Sequence, residues 1–94
     1  TVFVDDGARR ALAEHNKSLL PAGIVKVEGD FARGDVVAVA DSDGSIIARG
    51  LSNYSASQME IIRGKKSKQI RELLADAAYD EAIHRDNLVL ERNS

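Results

Sequence analysis

Four places in this chain carry residue types that could do chemistry, and each departs from the spacing that the chemistry needs. His84-Arg85-Asp86 has the composition of a protein-kinase catalytic loop, where an asparagine five residues after the aspartate holds magnesium. That later position is Glu91 here, and the other kinase signatures are missing, so the three residues read as a polar turn before a strand. Gly64-Lys65-Lys66-Ser67 approaches a phosphate-binding loop, which needs Gly-Lys followed at once by Ser or Thr and a glycine five residues earlier. Lys66 and Met59 occupy those two positions. Asp41, Asp43 and Gly44 suggest a calcium loop, but its glycine belongs after the third ligand, where Ile46 stands, so a hairpin is the better reading. His15 and His84 have no cysteine and no obvious partner to complete a zinc set. No catalytic, cofactor-binding or metal-ligating residue is assigned.

What remains is charge. Arg63, Lys65, Lys66, Lys68 and Arg71 form a basic run with no acid between Arg63 and Arg71. Four of them precede or open a predicted helix, where backbone amides and the helix dipole also favour an anion. Such a run is a solvated helix junction, a contact for an acidic surface on a neighbouring domain or subunit, or a phosphate or nucleic-acid contact. Arg9, Arg10 and Lys17 form a weaker group near the first helix, partly cancelled by Asp5, Asp6 and Glu14. Thirteen Lys and Arg against fifteen Asp and Glu leave a net charge of -2. Nucleic-acid binders usually carry a basic excess, because neutralised phosphates supply most of their affinity, so this balance disfavours RNA.

The elements that must position these groups are legible in the apolar pattern. Ile24 to Glu28 alternates, with Ile24, Lys26 and Glu28 on one face and Val25 and Val27 on the other. Gly29-Asp30 and Arg33-Gly34-Asp35 are turns that bracket Phe31. Val36 to Asp41 is a nearly continuous apolar, valine-rich run, which predicts a central strand buried on both faces. Asp43-Gly44 predicts a type I′ hairpin into a strand over Ser45 to Leu51, in which Gly50 marks a bulge or a close backbone approach. Asp5 or Asp6 caps a helix through Ala8, Ala11, Leu12 and His15, whose buried stripe is thin. Pro21 and Gly23 end the Lys17 to Leu20 segment. Ser55 and Gln58 have capping-box spacing before Met59 and Ile62, and this helix stops at Gly64. Ser67 is expected to cap a second helix bearing Ile70, Leu73, Leu74 and Ala77 on one face. Asn87 to Glu91 predicts a last strand, with Leu88 and Leu90 opposite Val89, and Arg92 to Ser94 a frayed end.

Ninety-four residues make one domain, able to bury about 60 to 65% of the surface of its unfolded chain. The chain opens at Thr1, without methionine and directly in the apolar run Val2-Phe3-Val4, as expected of a domain excised from a longer polypeptide. It has no cysteine, no membrane-length apolar segment and no basic leader, so a cytoplasmic protein without membrane contact is expected.

The order LLPAGI, VxVEGDF, RGDVVAV and DGxxIARGLxNYS resembles a PUA domain, the small module of pseudouridine synthases and archaeosine transglycosylases. With the tail from Tyr79 to Leu90 it is similar to the C-terminal PUA domains of bacterial glutamate 5-kinases, over about residues 4 to 90. The resemblance implies a mainly β fold with small helices (α+β), a PUA-like mixed β pseudo-barrel. It implies a parent enzyme that uses ATP and Mg2+ to phosphorylate the γ-carboxylate of L-glutamate in proline biosynthesis, under feedback inhibition by proline. That chemistry belongs to an amino acid kinase domain, so residues 1 to 94 are expected to be non-catalytic and cofactor-free. Their expected partners are the kinase domain and other subunits, and their task modulation. The alternative is an RNA-binding module of a tRNA- or rRNA-modifying enzyme. In RNA-binding members the first helix lies against the RNA, which would make Arg9, Arg10 and Lys17 its contacts.

Overall fold

A computed structural model describes residues 1–74 and 79–91. The strands are β1 (Val2–Val4), β2 (Ile24–Val27), β3 (Val36–Ala40), β4 (Ile46–Leu51) and β5 (Leu88–Leu90), in the sheet order β2-β1-β3-β4-β5. β1 runs parallel to β3, and the other neighbours are antiparallel, so the sheet is mixed. Val2-Phe3-Val4, expected only as an apolar beginning, is therefore a strand inserted between β2 and β3. Three residues are too few to show a period, and the partners Val27 and Val39 lie far along the chain.

Two bulges correct the simple alternation. Phe3 pairs with Lys26 and Val4 with Ile24, which leaves Val25 unopposed. The extra residue lets both Ile24 and Val27 turn inward while Val25 is 51% exposed, so Val25 and Val27 do not share a face. Val39 opposes Ala48 while Ala40 opposes Ile46, which puts the second bulge at Ile47. The register at Gly50 is regular, so of the two expectations there the close approach is the correct one.

β3 is central, as its composition predicts, but it is not covered on both faces. Val37, Val39 and Ala40 are buried, whereas Val36 is 66% exposed. The hairpin that follows is not type I′. That turn needs positive φ at both Asp43 and Gly44, yet Gly44 alone has it, at 84°. Gly44 N–H donates to the Asp41 carbonyl, and Asp41 N–H donates to Ser45. The loop is a three-residue turn closed by a left-handed glycine. The Asp41 carboxylate accepts the N–H groups of Asp43 and Ser45, which selects this form over the two-residue one.

The helices are α1 (Asp6–His15), α2 (Ala56–Ile62) and α3 (Ser67–Leu73), with 3-10 turns at Pro21–Gly23 and Arg85–Asn87. Asp5 caps α1, and Leu12 is its buried residue. α2 has the expected capping box: Gln58 N–H donates to Ser55 Oγ at 3.3 Å and Ser55 N–H to Gln58 Oε1 at 3.0 Å. Met59 and Ile62, one turn apart, enter the core. A Ser55→Ala chain should lose about 1 kcal/mol of stability in urea unfolding, since Gln58 N–H loses its acceptor while the N–H of residue 55 keeps Gln58 Oε1. α3 begins one residue earlier than its hydroxyl suggests, with Lys66 at the cap and its N–H bonded to Gln69 Oε1. Ile70 and Leu74 carry its contact with the core. Leu73, expected beside them, is the last residue of the helix and 49% exposed, while Leu74 after it packs on the core. Ala77 and Arg92 to Ser94 lie outside the described residues.

β5 returns to the sheet as expected, Leu88 and Leu90 half-buried and Val89 outward. Its approach is held by aromatic contacts. The Tyr54 hydroxyl donates to the Tyr79 carbonyl, and the two rings meet edge to face at 6.3 Å. The Arg33 guanidinium stands 5.2 Å from the Tyr79 ring centre and donates to its hydroxyl.

Candidate functional site

Among the described residues, the basic groups singled out by the sequence, Arg9 and Arg10 apart, fall on two surfaces, a cleft and a turn between helices. The first is a cleft of about 790 Å3 between the start of α1, the segment from Lys17 to Gly23 and the segment from Glu81 to Arg85. Close packing makes its floor: Asp5 N–H donates to the Gly23 carbonyl at 3.0 Å. A Cβ on Gly23 would stand 2.5 Å from that of Ala8, so only glycine lets α1 approach this turn. The far wall is fastened by Asn53, whose side chain and N–H bond the carbonyls of Glu81 and Ala82. Leu19 then bridges Ile83, and Arg85 N–H donates to Ser18 Oγ at 2.8 Å.

The charges of this cleft are mixed. Lys17 and Arg85 line it together with Asp5 and Glu81. The Asp5 carboxylate accepts Ala8 N–H, and His84 Nδ1 accepts Asp86 N–H at 3.1 Å, so both are committed to capping. His84-Arg85-Asp86 therefore forms the predicted turn before β5. No residue pair here has the arrangement of a nucleophile and its base. Of the sequence-derived basic group, Lys17 lines the cleft, whereas Arg9 and Arg10 stand elsewhere on α1 and do not. Sequence reasoning missed Ser18, Glu81 and Arg85 as wall residues, because the bridge between positions 19 and 83 brings them together and leaves no local pattern.

The second surface is the turn between α2 and α3. Its five predicted cations separate into two kinds. Arg63 is held by Glu60 at 2.7 Å and donates to the Val25 carbonyl, and Arg71 is held by Asp80 at 3.0 Å. Lys65, Lys66 and Lys68 are exposed and have no side-chain ion pair among the described residues. The turn is pinned to the body by Gly64 N–H, which donates to the Pro21 carbonyl at 2.7 Å. Among the described residues no cluster of three His, Cys, Asp or Glu could hold a metal ion, and no helix is long and apolar enough to cross a membrane.

The PUA domain family model matches residues 1–74. The chain belongs to the PUA domain family. Over 89 residues it is 58% identical to the glutamate 5-kinase of Caldanaerobacter subterraneus subsp. tengcongensis and 49% identical to that of Dictyoglomus thermophilum. Both alignments take in 95% of this chain and 24% of the relative, so the PUA chain spans about a quarter of the curated relatives it matches. Among solved structures, a PUA domain of Aeropyrum pernix K1 in complex with tartrate superposes with a TM-score of 0.66 at 35% identity. That match covers 89% of this chain and 40% of the other. A chain of the archaeal box H/ACA sRNP Nop10-Cbf5 complex superposes with a TM-score of 0.61 at 22% identity over 97% of this chain and 23% of its own, a likeness of fold alone. The α+β architecture with a mixed sheet is thus that of a PUA domain.

Proposed function

We propose that this chain is the PUA domain of a glutamate 5-kinase and that it modulates the enzyme through contacts between domains. The carrying observation is the 58% identity across nearly the whole domain to a protein of that name, of which it makes up 24%. In this reading the longer polypeptide transfers the γ-phosphoryl group of ATP to the γ-carboxylate of L-glutamate, the first step of proline biosynthesis, in the cytoplasm. ATP and Mg2+ are bound by the remaining three quarters. The PUA residues neither polarise the phosphate nor deprotonate the acceptor. They bias the kinase between states that differ in affinity for substrate or inhibitor. Lys65, Lys66 and Lys68 are available for an acidic surface on the kinase portion, while Arg63 and Arg71 serve within the domain.

The test compares glutamate-dependent ATP consumption by the full-length protein, by the protein lacking residues 1–94 of this sequence, and by the 94-residue chain. The full-length protein should turn over, and removal of the domain should change inhibition by proline or the response to Mg2+ more than kcat. ATP consumption by the 94-residue chain would overturn the reading.

A second reading, RNA binding, is favoured by one observation, the fold shared with a chain of a ribonucleoprotein complex. Lys17, Lys65, Lys66 and Lys68 would then meet phosphates, and affinity for a structured RNA would fall steeply with salt. The net charge of -2 weighs against it. Saturable binding of a tRNA transcript with that salt dependence, weakened by Lys65→Gln and Lys68→Gln, would favour RNA over modulation.

A further inference from the structure

The outer face of the sheet carries an apolar hollow that the cleft and the lysine turn do not use. Val36 on β3 pairs with Leu51 on β4, and Arg49 on β4 pairs with Val89 on β5. Val36 is 66% exposed, Leu51 40% and Val89 71%, and the three line one hollow of about 370 Å3. Single exposed apolar residues are ordinary, but a contiguous set on regular strands marks a contact surface. β3 also has the unbroken apolar composition of a strand covered on both sides, yet its outward residue Val36 stays uncovered.

We propose that this face is where the domain packs against the kinase portion of its own polypeptide, through apolar side chains of that portion seated between Val36, Leu51 and Val89. Three observations select this occupant. The relatives are about four times as long as the chain, since the aligned part is 24% of them, so a large body of polypeptide accompanies the domain. Among the described residues the cation of the hollow is Arg49, half-exposed but already paired with Glu91 at 2.7 Å, and both line it. A nucleic acid would have to compete with Glu91 for that one charge, whereas an apolar ridge could dock with the pair left intact. Finally, the face lies on strands, so its three side chains are held in fixed register before any partner arrives.

The inference rests on the kinase reading, and the experiment separates the two. Full-length protein is prepared with Val89→Cys, Val36→Cys or, as a reference at the exposed tip of the β3-β4 hairpin, Ser42→Cys, and each is reacted with a maleimide under native conditions. Each preparation is also assayed for glutamate-dependent ATP consumption. The thiols introduced at 89 and 36 should react at least about tenfold more slowly than the one at 42, and unfolding in urea should abolish the difference. Equal rates at 36, 89 and 42 in an active enzyme would overturn the docking surface and leave the kinase reading standing. Absence of kinase activity would overturn the reading itself. Protection that grows with protein concentration and also appears in the isolated 94-residue chain would assign the face to a second copy, and would equally overturn the proposal.

Discussion

Gly50→Ala should destabilise the domain by about 3 kcal/mol or more, at the upper end of the usual cost of overpacking a core. The added Cβ would stand 2.6 Å from the Asn87 carbonyl oxygen, 2.6 Å from Ile83 Cγ2 and 3.2 Å from Leu88 Cα. A side chain can rotate away from such a clash, but the Asn87 oxygen and Leu88 Cα are backbone. Relief therefore requires β5 to move off β4, which would weaken the pairing of Gly50 with Leu88 and of Arg49 with Val89. The urea midpoint should fall, and amides of β5 should exchange faster than those of β1. Gly7→Ala is the matched control with the opposite sign. It lies inside α1, where a Cβ would meet nothing nearer than 3.5 Å, so it should gain about 0.5–1 kcal/mol from helix propensity. An unfolding free energy for Gly50→Ala equal to that of the parent chain would refute the close approach.

The second large effect is expected at Ile83, which has no solvent exposure and lies against Gly50. Ile83→Ala should cost about 2–5 kcal/mol, the transfer term plus the cavity left behind. That is a large share of the about 5–15 kcal/mol available to a small domain. Ile83 also joins the two walls of the cleft. Its carbonyl accepts Leu19 N–H at 2.9 Å, and its neighbour Ala82 donates to the Leu19 carbonyl at 2.7 Å. The loss should therefore appear both in global unfolding and as faster exchange around Leu19 and Arg85. Combining the two substitutions gives a coupling. Removing Cγ2 clears one of the two 2.6 Å contacts and leaves the Asn87 oxygen, so the double variant should lose less than the sum by about 0.5–3 kcal/mol. Strict additivity in a double-mutant cycle would show that the two residues do not meet as described.

Local signals in the sequence were reliable where a short stretch decides its own conformation. The Ser55 and Gln58 box, the Asp5 cap, the turn at Pro21 and the alternation of Leu88, Val89 and Leu90 all depend on neighbours within a few positions. Two local expectations still differ, the hairpin that the Asp41 carboxylate reshapes and the cap of α3 at Lys66 rather than Ser67, and the larger differences arise where the deciding partner is distant. Val25 turns outward because Val4 pairs with Ile24, a register that position 25 does not encode. The basic run from Arg63 to Arg71 reads as five equal cations, yet Val25 and Asp80 take the two arginines from outside it.

The order of short motifs, through its resemblance to PUA domains, was thus enough for the domain class and its family. Glycine turns, apolar alternation and caps are local physics, set by neighbours within a few positions. Only the tertiary structure decided which surfaces remain for function. The cleft exists because residue 19 bridges residue 83, and the apolar hollow because Val36, Leu51 and Val89 come from three strands aligned by the sheet. A surface is a sum of long-range pairings, and no window of sequence contains it.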